Sequence, residues 1–147
     1  MRKFRFKLQT VLELRQAEED RLLTELGALR REEAAEIDRL RQLRTQLRAA
    51  CDAMEDAVAK NAPVVELARC DEYAKAKRDD VKVQELTLEG VRARAEAKRV
   101  ELVEAMKDRQ VLESLKNKQE REHILVQAGL EQKQLDDLAS VRYARRV

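Results

Sequence analysis

Apolar residues recur along the first part of the chain at alternating steps of three and four positions. This spacing averages about 3.5 residues, the period of the contact face of a left-handed coiled coil. Polar residues interrupt the apolar seam at Arg15, Glu19 and Glu33. The pattern predicts one long helix over about residues 8–60. Its seam members are Leu8, Leu12, Leu22, Leu26, Leu29, Leu40, Leu43, Leu47, Ala50, Met54 and Ala57.

The pattern is broken at Asn61-Ala62-Pro63, where the chain has its only proline. Proline removes a helical hydrogen bond and disfavours the α conformation of the residue before it. Asparagine tolerates the left-handed conformation that closes a helix. We therefore predict a tight turn over residues 61–63, and a single kinked helix is the alternative.

The same rhythm resumes after the turn and predicts a second helix over about residues 64–143. Folding the chain about residue 62 places residue 5 near residue 119, so that the last ~25 residues extend beyond the N-terminus. The predicted fold is all-α: two long helices in an antiparallel coiled-coil hairpin with a C-terminal helical overhang. We expect a single coiled-coil domain over residues 1–147. The seam of the second helix contains Cys70, Ala74, Val81, Leu88, Val91, Ala95, Leu102, Ala105, Leu112, Val126 and Leu130.

The composition agrees with long helices. Charged residues make up 41% of the chain and aromatic residues only 3%, which is typical of a coiled coil and not of a thick core. Disorder is the competing interpretation of high charge, but a hydrophobic fraction of 44% argues against it. The net charge of +2 gives no sign of the one-sided basic surface of a dedicated nucleic-acid binder.

The sequence lacks three features that would indicate a membrane or secreted protein. No stretch approaches the ~20 apolar residues of a membrane span. The basic residues 2–7 are not followed by an apolar segment, so we do not expect a signal peptide. Cys51 and Cys70 are too few for a disulfide framework and lack metal-ligand spacing. We expect a cytosolic protein with both thiols reduced.

We expect no catalytic residue, no metal site and no cofactor. The sequence has no Gly-rich loop after a strand that could hold a phosphate. His123 is the only histidine, and it is surrounded by scattered carboxylates rather than by a set of metal ligands. A two-helix hairpin also offers no water-excluded pocket that could tune a carboxylate pair.

A basic and aromatic segment precedes the first helix. Residues 2–7 contain four cations and both phenylalanines of the chain, Phe4 and Phe6. Cations oppose the dipole at a helix N-terminus, so local stability does not explain them. The sequence from Thr10 to Glu13 is typical of a capping box, which would leave residues 2–8 as a mobile arm. We interpret this arm as a binding element.

Both ends of the chain resemble the FliJ family of flagellar export proteins. The residues that carry the resemblance are Lys3 to Arg15 (KFRFKLQTVLELR), Asp108 to Lys116 (DRQVLESLK), and Glu131 to Leu138 (EQKQLDDL) with Arg142. Residues 30–100 resemble the family only weakly. Coiled coils share composition in general, so the end motifs are the specific part of the likeness.

The resemblance implies a soluble part of the flagellar type III export apparatus. Its hairpin would be similar to the central stalk of rotary ATPases and would insert its open end into a hexameric export ATPase. Further implied partners are the cytoplasmic part of the export-gate membrane protein and the export chaperones. The protein would be a monomer on its own, cytoplasmic and peripheral at the inner membrane. The ring-binding residues would be Phe4, Phe6, Leu8, Gln9, Leu12, Arg15, Glu131, Gln132, Asp136, Asp137 and Arg142.

Three other functions remain open at this point. The first is the stalk protein of a virulence-type type III secretion system. The second is a structural coiled-coil dimer, which the heptads alone would support. The third is a nucleic-acid or membrane-surface binder, which the basic arm would support.

Overall fold

The computed structural model describes residues 2–147 and contains two α-helices, with no strand among those residues. Helix α1 spans Gln9–Ala59 and helix α2 spans Val64–Arg146. Both are rich in Leu, Ala, Glu and Arg, which are good helix formers. The two helices pack against each other, which confirms the predicted all-α antiparallel hairpin.

The connection between the helices is closed by backbone hydrogen bonds. Asn61 adopts a φ of 54°, and its N–H donates to the Val58 carbonyl at 3.1 Å. The N–H of Ala62 donates to the Ala57 carbonyl at 3.0 Å. These two bonds are the pair of a Schellman motif, in which one left-handed residue satisfies the last carbonyls of a helix. Pro63 directly precedes α2, and its carbonyl accepts the first hydrogen bonds of that helix.

Residues 22–101 form one compact unit, which we call the hairpin body. Its core is a single seam, because two helices enclose only the strip between them. Five of the buried positions carry branched aliphatic side chains, namely Leu22, Leu40, Val81, Leu88 and Val91, and Leu40 packs with Val81 and Leu88. The buried apolar residues of the hairpin body are Leu22, Leu40, Ala50, Ala74, Val81, Leu88, Val91 and Ala95.

Polar contacts across the hairpin body define its antiparallel register. Lys98 pairs with Glu25 at 2.9 Å, and Arg94 with Glu32 at 3.1 Å. Nearer the turn, Lys77 donates to Gln46. Residue numbers rise along α1 as they fall along α2, as an antiparallel pair requires. Exposed ion pairs contribute little energy, so they mark the register more than they stabilise it.

One polar side chain is buried within this seam. Gln84 donates its amide to the Glu36 backbone carbonyl at 3.1 Å and also to the Glu36 carboxylate. Only 5% of Gln84 is exposed. A buried amide is costly unless it is hydrogen-bonded, so the pair favours the one register in which its bonds are made.

Residues 2–21 and 102–147 form the second compact unit, which we call the terminal unit. Its buried residues are fewer: Phe6, Leu12, Leu102 and Ala105. Two sequence predictions are wrong here. Leu8 does not open the buried seam, because it precedes the helix and stays 39% exposed. Thr10 does not cap α1, because the helix already begins at Gln9.

Candidate protein-interaction site in the terminal unit

The N-terminal arm is packed rather than free. Phe6 is buried, and its carbonyl accepts a hydrogen bond from the Gln9 N–H at 3.1 Å. Leu12, one turn into α1, is also buried, with 2% of its surface exposed. Burying an aromatic side chain and a leucine stabilises the arm by a few kcal/mol, at about 25 cal/mol per Å² of apolar surface. The interpretation of residues 2–8 as a mobile arm is therefore wrong.

His123 of α2 contacts the start of the arm. Its Nε2 lies 2.9 Å from the Arg2 carbonyl oxygen, and because a carbonyl only accepts, this ring nitrogen donates the proton. The ring of Phe4 lies 5.7 Å from the His123 ring, centroid to centroid, at 46°. Tilted aromatic contacts of this kind are weakly favourable. The single histidine thus helps to hold the arm in place.

Charged residues form contacts between α1 and α2 in the part of the terminal unit that follows the arm. Arg109 lies between Glu19 of α1 and Glu113 of its own helix, and it donates to both carboxylates. The hydrogen bond to Glu19, followed by that to Glu113, raises the pKa of the Arg109 guanidinium. Arg15 and Asp108 form a looser, exposed pair at 3.7 Å. The polar seam positions seen in the sequence therefore have partners across the hairpin.

The last twenty residues of the chain, 128–147, are all exposed, and we call them the overhang. Helix α2 nevertheless continues to Arg146. Its side chains bond to near neighbours, as when Gln132 donates to the Asp136 carboxylate at 3.1 Å. An isolated helix of this length is marginal in water. Because all of these residues are exposed, the apolar side chains of the overhang are not covered by any other described part of the chain.

One face of the overhang combines apolar and basic side chains. Leu135, Leu138 and Tyr143 are 57–75% exposed, and they recur at spacings that bring them to one side of a helix. The arginines of this face, Arg142 and Arg146, lie one turn apart. Together these residues line a shallow groove of about 460 Å³. We call this face the overhang strip; it consists of Leu135, Leu138, Ala139, Arg142, Tyr143 and Arg146.

The structure divides the sequence-predicted site residues into packed and displayed groups. Phe6 and Leu12 are buried, and Phe4 and Gln9 are half-buried. Leu8 and Arg15 are exposed near the start of α1. All five residues predicted from the second helix are exposed in the overhang: Glu131, Gln132, Asp136, Asp137 and Arg142.

Sequence reasoning missed part of the displayed face. Tyr143, Ala139 and Arg146 belong to the overhang strip, although the end motifs did not single them out. Their signal is their spacing of four, eight and eleven positions from Leu135 (Ala139, Tyr143 and Arg146), which brings them to one helical face. The predicted seam did not include these residues, because the seam runs through Val126 and Leu130, which lie on another side of α2.

Two further findings concern chemistry and membranes. Among residues 2–147, no group of three or more His, Cys, Asp or Glu side chains is placed to hold a metal ion. Neither of the two described helices has an apolar stretch long enough to cross a bilayer.

The fold and the exposed face define a class: a two-helix hairpin protein with an exposed helical end. The family model described as flagellar FliJ protein matches residues 4–147. The chain therefore belongs to the FliJ family, whose members are non-catalytic components of the flagellar type III export apparatus. No curated protein and no solved structure matches the chain.

Proposed function

We propose that this protein acts as the central stalk of a flagellar export ATPase. The end of the hairpin that carries the overhang inserts into the hexameric ring and stimulates ATP hydrolysis. The observation that supports this role is the fully exposed overhang, residues 128–147, with its apolar and basic strip. An apolar helical face gains stability when a partner covers it, and the two arginines would steer it towards an acidic opening.

The predicted ring-binding residues have two roles in this proposal. The displayed ones, Leu8 and Arg15 near the start of α1 and the five in the overhang, contact the ring. Phe4, Phe6 and Leu12 position the arm through burial and through the His123 contact, and Gln9 begins the helix that follows. Substituting a positioning residue would act through the arm, whereas substituting a displayed residue would act on the ring interface directly.

We also propose that the protein links the ATPase to the export gate and to the export chaperones. It would work as a cytoplasmic monomer, peripheral at the inner membrane. The monomer is supported by the seam of the hairpin body, which is filled by the two helices of one chain. A parallel dimer would need that same seam for a second copy.

The proposal is tested by introducing the same substitution, two aliphatic residues to glutamate, at either end of the hairpin. The variant Leu135→Glu with Leu138→Glu introduces two charges into the overhang strip. The control, Val64→Glu with Val65→Glu, changes two exposed aliphatic residues at the first turn of α2, where acidic residues suit the helix dipole. Both variants are compared with the wild type for stimulation of the purified export ATPase and for pull-down of the ring.

We expect the overhang variant to lose about tenfold or more of its affinity for the ring, because central apolar contacts dominate interfaces. The control should stimulate the ATPase like the wild type. Circular dichroism should show equal helicity for both. The reverse result, with a silent overhang variant and an inactive control, would place ring binding at the hairpin turn and refute the proposal.

A further inference from the structure

A second basic surface lies in the hairpin body and includes none of the residues assigned to ring binding. It is a groove of about 460 Å³ between α1 and α2. Its apolar floor consists of Ile37, which is partly exposed, and of Leu40 and Leu88, which are buried in the seam; Thr45 also lines the groove. Its rim is formed by four arginines: Arg41, Arg44, Arg48 and Arg92. We call it the arginine groove.

Three of these arginines follow the axis of α1. Arg41, Arg44 and Arg48 are separated by three and then four residues, so they share one face of the helix. They span about 10 Å along the axis, at 1.5 Å per residue. A partner helix that lies in the groove would present acidic residues to them at the same spacing. The fourth arginine, Arg92, faces the groove from α2.

The charges of the three rim arginines on α1 are available to a partner. Arg48 has no ion pair among the described residues. Arg44 pairs with Glu85 at 3.1 Å and Arg41 with Asp38 at 3.6 Å, and the side chains in both pairs are about half exposed or more. Exposed ion pairs of this kind are worth about 0–1 kcal/mol. A well-placed carboxylate from a partner, held in a bidentate bond, can therefore replace them.

We propose that the arginine groove binds an acidic amphipathic helix of a partner protein. Carboxylates on one side of that helix pair with the arginines, and its aliphatic residues cover Ile37 and the arginine stems. Helices bind grooves in this way through anchors at successive turns. Arginine suits such a site because its planar guanidinium matches a carboxylate in two parallel bonds.

The acidic residues around the groove favour a protein over a nucleic acid. Glu33, which pairs with Arg92, and Glu85 lie beside the rim. A phosphate backbone carries charge at every step and would meet these carboxylates. An amphipathic helix can place its acidic residues opposite the arginines alone. The proposal does not depend on the stalk function, because it concerns none of the residues proposed to contact the ring.

The test uses a synthetic helix as the probe and fluorescence anisotropy as the readout. The probe has about three heptads, with Leu on one face and Glu on the other. A second probe replaces Glu with Lys, a third replaces Leu with Ala, and a fourth is a duplex oligonucleotide. The groove variant is Arg44→Glu with Arg48→Glu. Its matched control is Arg31→Glu with Arg39→Glu, which changes two exposed arginines on another side of α1.

We expect the Glu/Leu probe to bind the wild type and to lose about tenfold or more of its affinity for the groove variant, since a charge reversal leaves like charges face to face. The control should change the affinity less than about twofold. The Lys probe should not bind, and the Ala probe should bind more weakly than the Leu probe. If the groove variant loses helicity, Arg48→Glu alone serves instead, because Arg48 has no ion pair to break.

Four results would overturn the proposal. In the first, the Glu/Leu probe does not bind the wild type. In the second, the groove variant and the control lose affinity equally, which would indicate general charge attraction. In the third, the Ala probe binds as well as the Leu probe, so that the apolar floor plays no part. In the fourth, the oligonucleotide binds the wild type more tightly than the Glu/Leu probe does, and the groove variant loses affinity for the oligonucleotide instead of for the probe.

Discussion

The hairpin body and the terminal unit are built from the same two helices but are stabilised differently. In the hairpin body, eight apolar residues are buried, and Gln84 is hydrogen-bonded among them. In the terminal unit, four residues are buried, Arg109 occupies the seam between two carboxylates, and the overhang is entirely exposed. The same two helices therefore form a paired, buried seam in one region and leave a helical end exposed and unpaired in the other.

Hydrogen exchange should show the largest contrast between the two regions. Amides of the overhang, residues 128–147, should exchange close to the rate of an unfolded chain, because no packing opposes fraying. Amides of residues 81–95 should exchange at least about a hundredfold more slowly, since they open only when the seam opens. Mass spectrometry of the protein alone, and then with the ATPase ring, measures both. Strong protection of the overhang in the free protein would contradict the expected contrast between the two regions.

A truncation in the seam should show the next largest effect. Leu88→Ala removes a buried side chain from the cluster with Leu40 and Val81, and we expect it to lower the free energy of unfolding by about 2–3 kcal/mol. Leu86→Ala, at a position that is 68% exposed, is the matched control and should change it by less than about 0.5 kcal/mol. Urea titrations followed by circular dichroism measure both values. Equal effects would mean that the seam is not the main source of stability.

The buried amide should show an intermediate effect. Gln84→Ala removes both hydrogen bonds to Glu36 and should lower the free energy of unfolding by about 1–2 kcal/mol. Gln42→Ala, an exposed Gln-to-Ala change on α1, should be close to neutral. Replacing both Glu36 and Gln84 with Leu should restore the stability, because two packed apolar groups can equal a buried polar pair. Light scattering should then detect additional oligomers, since the preference for one register is lost.

The dependence of stability on pH should be the smallest effect. The hydrogen bond from Arg30, with a further one from Arg92, holds the pKa of Glu33 below its ordinary value. Its contribution is therefore present above the unfolded pKa and is lost as the pH falls below roughly 4–5. The bond to Glu25 raises the pKa of Lys98, so that this contribution is present at neutral pH and is lost only above roughly pH 10.

The melting temperature should be constant between these two pH limits. It should fall at more acidic pH and at strongly basic pH. Glu33→Gln should reduce the acid decline slightly. Glu55→Gln, at an exposed position without an ion pair among the described residues, should leave the decline unchanged. An acid decline of the same size in all three proteins would mean that the Glu33 contacts do not contribute.

The seam illustrates how far the sequence predicts this structure. Leu12, Leu22, Leu40 and Leu88 were expected in the seam and are buried, because helical spacing alone decides which residues share a face. Phe6 was expected to be displayed, yet it is buried. The arm that carries Phe6 contacts His123 through Arg2 and Phe4, more than a hundred positions away in the chain, and no local pattern contains that information.

The polar seam positions show the same limit. Their charge was visible in the sequence, but the partner of Glu19 is Arg109 and that of Glu36 is Gln84, and these pairs exist only in one register. The predicted site residues divide in the same way. Asp137 and Arg142 are displayed because the second helix is longer than the first, which the sequence shows, whereas the burial of Leu12 follows from how the helices pack.

By itself, the sequence determined the two helices, the seam between them and the unpaired end, because helix propensity and periodicity are local properties of the chain. The tertiary structure alone decided that the aromatic arm packs against His123, that Arg109 lies between two carboxylates, and that four arginines surround one groove. Each of these depends on which turn of one helix faces which turn of the other. That register is set by the packing of the whole interface together with buried polar pairs such as Gln84 and Glu36.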